Sequence, residues 1–188
     1  MPTATVPTAR RLSELEAVVL GLIGTDGPCT AYAVRRTVQA SLSARWSGSA
    51  GAVYPAVARL QERGLIRSGD QATGKRRSQA LEITAKGGRI LNEWLRPPID
   101  PIALGIPPDP LRIRLRFLER LAPAERTAFL DEAIAAVETT LVQVQKDVRR
   151  LRAAGESPFQ IAMASGALHA TRARLRTLKE LKTGLARE

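Results

Sequence analysis

Lys75, Arg76 and Arg77 are three adjacent cations that close the stretch SGDQATGKRR. Charge at that density can straddle a phosphate backbone or enter a minor groove. A solvated loop is the alternative. Upstream, Ser49, Ala50, Gly51 and Ala52 open a segment with helical patterning. Small side chains at a helix start let the backbone approach a phosphate or a base edge, and the helix N-terminus attracts anions. Tyr54, Ala58 and Arg59 share the outer faces of that segment. A core helix with a glycine-softened entry is the competing reading. Arg35 and Arg36, on the preceding helix, are placed either to meet phosphates or simply to face water.

The elements that must position these residues are legible in order. Residues 1–10 are small, polar and interrupted by proline, as in a flexible tail. Ser13 caps a helix in which Leu15, Val18, Val19, Leu22 and Ile23 have helical spacing, and Glu14 and Glu16 suit its positive end. Gly24 and the TDGP turn end it. Thr30 caps a second helix, buried through Ala33, Val34, Val38 and Leu42. Ser49 is the expected N-cap of the third, with Val53, Val57 and Leu60 inward. Pro55 sits near its start, where the ring presses on the carbonyl of Gly51 and distorts the first turn. Gly64 is a left-handed stop. Leu65–Arg67 and Ser78–Ile83 read as strands, with Gly69, Asp70 and Gly74 turning the chain between them. Thr84 caps a fourth helix that buries Ile90, Leu91, Trp94 and Leu95, its start weakened by Gly87 and Gly88. Residues 97–110 hold six prolines and no helical pattern, which marks a connector.

The rest is helical. LRIRLRFLERL alternates arginine with apolar residues, and Pro123 favours a short helix over a strand. From Ala124 to about Ala153, Leu130, Ile134, Val137, Leu141, Val144, Val148 and Leu151 keep a four-three rhythm, a coiled-coil type of seam. Gly155 breaks it and Ser157-Pro158 restarts a helix. There Ile161, Leu168 and Leu175, with Ala164, Thr171, Leu178 and Leu185, recur every seven residues. Two such helices bury each other only in part. A homodimer through Ile161, Ala164, Leu168, Leu175, Leu178 and Leu185 is expected, with a closed intramolecular bundle as the alternative.

The bulk properties agree with a polyanion partner. The chain of 188 residues carries 29 Lys and Arg against 18 acids, a net charge of +11. Residues 1–96 hold 14 cations and 7 acids, and residues 97–188 hold 15 and 11. The surplus is thus +7 in the half with the basic stretch and +4 in the other. Aromatic residues are only 4% of the chain, so the core must be aliphatic and a stacking pocket for a flat ligand is poorly supplied. Trp46 and Trp94 read as core between domains. One cysteine, Cys29, excludes an intrachain disulfide and a zinc cluster; with Pro28 and Thr30 beside it, it reads as a buried bystander. No phosphate-cradling glycine loop, metal-ligand cluster or nucleophile–base pair is present, so neither catalysis, nor a cofactor, nor a metal is expected. The lone His169 is given no role. No signal peptide or span of about 20 apolar residues is seen, so a cytoplasmic protein is expected.

With these residues laid out, the chain resembles the PadR family of transcriptional regulators. The resemblance rests on LSELEAVVLGLIG, Ala31-Tyr32, W-S-x-S-x-G-x-V-Y-P from Trp46 to Pro55, RLQERGLI from Arg59 to Ile66, the GKRR tip, and IT-x-x-G from Ile83 to Gly87 with Trp94 beyond. It covers residues 12–96 closely and 110–188 more loosely. Ala31 departs from the usual Gly, Ala52 from a Ser or Thr that offers a hydroxyl to phosphate, and Leu81 from an aromatic. The resemblance implies Tyr54 and Lys75–Arg77 as DNA contacts, and a repressor released when a small molecule or another signal reshapes the dimer. The expectation is a mainly α chain. It comprises a tail (1–10), a winged helix-turn-helix domain with a two-stranded antiparallel wing (11–96), a Pro-rich linker (97–110) and a helical dimerisation domain (111–188). Its expected DNA contacts are Arg35, Arg36, Ser49, Gly51, Ala52, Tyr54, Arg59, Lys75, Arg76 and Arg77. The competing class is a basic RNA- or ribosome-associated protein without sequence choice.

Overall fold

A computed structural model describes residues 11–41, 48–73, 76–106 and 109–187. The chain divides into two compact units, one ending at Gly105 and the other beginning at Ile106.

In the first unit, α1 (Glu14–Asp26) starts at Ser13. Its hydroxyl accepts from the Glu16 N–H at 3.2 Å, while the Glu16 carboxylate accepts from the Ser13 N–H at 3.0 Å. This reciprocal pair satisfies two donors that the helix leaves open. α2 (Ala31–Gln39) starts at Thr30, whose hydroxyl accepts from the Ala33 N–H. Val34 and Val38 are buried, but Ala33 is exposed; Leu42 lies outside the described residues. A 3-10 turn, Ala50–Ala52, leads into α3 (Val53–Glu62). Val53, Ala56, Val57 and Leu60 face inward. The helix ends where Gly64, at φ 65°, donates to Gln61 and Leu65 donates to Leu60, a stop that only a left-handed residue closes without strain.

β1 (Ile66–Thr73) and β2 (Arg76–Ile83) pair antiparallel from Ile66↔Ile83 to Thr73↔Arg76. The ribbon is much longer than the sequence suggests: Gly69 and Asp70 are paired strand residues, not a turn. Cys29 adds a bridge to Leu81, each N–H donating to the other's carbonyl. α4 (Ala85–Leu95) starts at Thr84, which caps Gly87 N–H. Gly87 is buried against β1, where an added Cβ would stand 2.0 Å from the Leu65 carbonyl oxygen. Its role is close packing rather than a weak start. α1 packs on α3, α4 and β2, and α2 on α3, around a core that includes Leu20, Ile23, Leu60 and Leu65. Ile90 and Leu91 flank that core, whereas Trp94 and Leu95 are 48% and 62% exposed, so the expected burial stops a turn early. α5 (Pro101–Leu104) is a short helix inside the proline-rich segment that carried no helical pattern.

In the second unit, α6 (Pro110–Leu115) is capped by Asp109, and a 3-10 turn at Leu118–Arg120 follows. Two long helices, α7 (Pro123–Ala153) and α8 (Pro158–Leu185), pack on each other. Gly155, at φ 67°, ends the first, and Ser157 caps the second. Leu130, Val137 and Leu178 are buried in one cluster; Val144, Val148 and Leu168 form another. Lys179 pairs with Glu138, and Lys182 with Asp131, along the edge of that seam. Leu175 and Leu185 flank the first cluster, Ala164 the second, and Ile161 is half-buried. Five of the six residues expected to join two chains therefore line or flank the seam of one chain. Leu168 and Leu178, 8% and 0% exposed, leave no surface for a second. Periodicity identifies a seam; it does not say whose helix fills it.

Candidate nucleic-acid interface

The start of α3 is an exposed, small-residue surface. Gly51, Ala52, Tyr54, Pro55 and Ala58 are exposed. Ala50, placed at the outer start on sequence grounds, is instead buried at 6% exposure. Ser49 is not a side-chain cap: it has helical dihedrals, its hydroxyl makes no cap bond, and its carbonyl accepts from the Ala52 N–H. The 3-10 turn moves the α-helical start to Val53 and places Pro55 in its first turn. There the N–H that proline lacks has no partner to lose, and the expected departure from α geometry at Gly51 takes the form of that 3-10 turn. Gly51 has negative φ, and a Cβ built on it meets nothing within 4 Å. Nothing among the described residues requires glycine here.

The ribbon leaves the same helix directly. Gln61 of α3 donates to Ser68 of β1, and Arg67 pairs with Glu82 across the strands at 2.7 Å. Arg76 and Arg77 are the first residues of β2, opposite Thr73 and Ala72. Lys75 and Trp46 lie outside the described residues. On α2, Arg36 is exposed and Arg35 half-buried.

Arg59 is not free on the outer face. Its Nε donates to Glu16 Oε1 at 2.7 Å, and Arg63 Nη1 reaches Glu16 Oε2 at 3.4 Å. Glu16 is 2% exposed. Burial pushes its carboxyl up, but the Arg59 and Ser13 hydrogen bonds and the charges of Arg59 and Arg63 outweigh this and leave it below the usual carboxylate range. Sequence reading took Glu16 only as a helix-start charge. The Ser13-x-x-Glu16 spacing next to an apolar stripe was the available signal for a capping box; the two arginines, more than forty residues away, gave none.

Among the described residues there is no cluster of His, Cys, Asp and Glu able to hold a metal, and no helix long and apolar enough to cross a membrane. Burial raises the Cys29 thiol above its ordinary range, with the Asp26 charge adding to the effect, and this disfavours the thiolate. The second unit has a groove of about 260 Å³ lined by Leu111, Arg114, Phe129, Glu132 and the α7 residues around Ala136.

Among the described residues, α1, α2 and α3 are followed by a two-stranded ribbon, and with α3 open at its start they define a winged helix-turn-helix unit. Residues 19–93 match the model of the Transcriptional regulator PadR-like family, so this unit is similar to those regulators. The solved structures agree on the fold. Bacillus subtilis PadR in complex with operator DNA is 20% identical, covering 91% of this chain and 98% of that one, at a TM-score of 0.77. The PadR-like regulator BC1756 from Bacillus cereus is 17% identical, covering 95% and 99%, also at 0.77. Bacillus subtilis PadR in complex with p-coumaric acid is 19% identical, covering 92% and 98%, at 0.72. No curated protein sequence matches the chain.

Proposed function

We propose that this PadR-like regulator is a repressor that binds a palindromic operator as a homodimer and is released by a small molecule or another signal. The observation that carries the reading is the start of α3: an exposed Gly51 that nothing among the described residues requires, beside Ala52, Tyr54 and Pro55, with the basic ribbon attached. That surface enters a major groove, with Tyr54 at base edges and the backbone near Gly51 close to phosphate. Arg36, Arg35 and the wing cations Lys75–Arg77 meet the backbone and supply the salt-dependent attraction.

Dimerisation rests on residues other than those first singled out. Phe159, Met163, Gly166, Ala170 and Ala173 recur four, three, four and three apart on α8, and all are exposed. This is a second seam, with Phe159 and Met163 84% and 74% exposed, and a copy of the same chain fills it. Two copies then read half-sites about 34–36 Å apart or a multiple of it. The operator-bound and p-coumaric acid-bound forms of a protein with this fold support both duplex DNA and a small-molecule signal as partners. The groove beside Phe129 and Arg114 offers an apolar wall and a cation to such a molecule.

The experiment is selection of bound fragments from fragmented genomic DNA, followed by affinity measurement on a recovered fragment with Tyr54→Ala and Gly51→Ala. A recovered inverted repeat, bound much more tightly than random duplex and weakened by both changes without loss of fold, is expected. Recovery of no preferred sequence, or equal losses on random DNA, overturns the reading in favour of non-specific nucleic-acid binding.

A further inference from the structure

The most exposed residues of the recognition segment carry no positive charge. Its exposed residues are Gly51, Ala52, Tyr54, Pro55, Ala58 and Glu62. Both arginines of α3 and its C-cap, Arg59 and Arg63, turn instead to Glu16 of α1, the one at 2.7 Å and the other at 3.4 Å. The carboxylate is buried and its third donor is the Ser13 N–H, so it is fully engaged from within the chain. The arginines are not buried with it. Their side chains are 36% and 23% exposed, so both reach the surface along α3.

Resting on the DNA-binding reading, we propose that Glu16 is a positioning residue that withholds Arg59 and Arg63 from phosphate, and thereby sets the ratio of specific to non-specific binding. Non-specific affinity grows with the number of phosphates neutralised, and each neutralised phosphate steepens the salt dependence. For either arginine to join that count it must leave a carboxylate that has no access to water, which a buried ion resists strongly. Held this way, α3 meets base edges with neutral side chains alone, and attraction without sequence choice is confined to α2 and the wing. Arg59 is thereby removed from the DNA contacts expected on sequence grounds. Without Glu16, Arg59, already at the surface, becomes available to any duplex.

The test uses the full chain and a mixed-sequence duplex lacking an inverted repeat, with affinity followed by fluorescence anisotropy from about 50 to 200 mM salt. In Arg59→Gln, Glu16 keeps Arg63 and Ser13, and the salt slope stays at the wild-type value. In Glu16→Gln, the affinity lost over that range grows about threefold as Arg59 is released. A slope flattened by about one in Arg59→Gln means that Arg59 touches phosphate and overturns the proposal. So does an unchanged slope in a Glu16→Gln protein that melts cooperatively. If Glu16→Gln does not fold, Arg59→Gln decides alone. A wild-type chain that ignores DNA at low salt overturns the functional reading and this inference with it; a wild type that binds, with a flattened Arg59→Gln slope, overturns this inference only.

Discussion

Adjacent glycines at the start of α4 respond oppositely to the same added methyl group. At Gly87 a Cβ would lie 2.0 Å from the Leu65 carbonyl oxygen and 2.9 Å from Ile83 Cγ1. Ordinary contact needs more than a further ångström, and the obstacle is backbone, so α4 must separate from β1. Overpacking of this kind costs about 1–3 kcal/mol. The same Leu65 carbonyl accepts from the Thr84 N–H at 3.0 Å and from the Thr84 hydroxyl at 3.1 Å. Losing those two bonds costs about 0.5–1.5 kcal/mol each. Alanine returns about 1 kcal/mol of helix propensity. The net loss is about 1–5 kcal/mol, a fall of about 4–8 °C in Tm for each kcal/mol in a unit of this size. At Gly88 an added Cβ meets nothing within 4 Å, and φ is negative. Gly88→Ala gains about 0.5–1 kcal/mol instead. Both tryptophans, Trp46 and Trp94, belong to the first unit, so denaturant unfolding followed by tryptophan fluorescence reports this unit separately from the helical one. A Gly87→Ala midpoint at or above wild type, or equal midpoints for the two variants, refutes the packing argument.

Four further outcomes follow from the arrangement. Replacing Lys75, Arg76 and Arg77 together by alanine lowers the salt slope of duplex binding by up to about three, and an unchanged slope removes the wing from the contact surface. Met163→Glu converts a dimer to a monomer in sedimentation while leaving the helical unit folded. Leu178→Ala costs about 2–5 kcal/mol of that unit's stability, because the side chain is fully buried within one chain. A monomer–dimer change from Leu178→Ala without loss of stability would reverse the roles of the two seams. Finally, the Glu16 carboxyl sits below its ordinary 4.5 in the fold, so its stabilising contribution is complete above about pH 4.5 and is lost as pH falls through the lower folded value. The gap in Tm between wild type and Glu16→Gln therefore closes on acidification, and a gap that stays constant from about pH 7 to 3 contradicts the linkage.

Local rules carried much of this protein into the sequence. Ser13, Thr30 and Thr84 announced helix starts because a hydroxyl just ahead of an apolar repeat satisfies the nearby N–H groups, and Gly64 announced a stop because only a left-handed residue closes that turn. The four-three rhythm of Leu130 to Leu151 declared a long seam, and the G-x-V-Y-P run with GKRR carried the likeness to PadR. What the sequence could not contain was the partner of each face. Burial of Trp94 and Leu95 was read from periodicity alone, yet the core ends at Leu91. The ribbon extends over residues with poor strand propensity because β1 pairs in register with β2 as far as Thr73, a tertiary override of local preference. Leu168 and Leu178 went to their own chain, and the exposed line from Phe159 to Ala173 was left open. Arg59 sat on an outer face by helical spacing, and only the approach of α1 brought Glu16 to it. Spacing along a chain fixes which side chains share a face. Which face meets which depends on how distant segments fill the core, and that was decided by the tertiary packing.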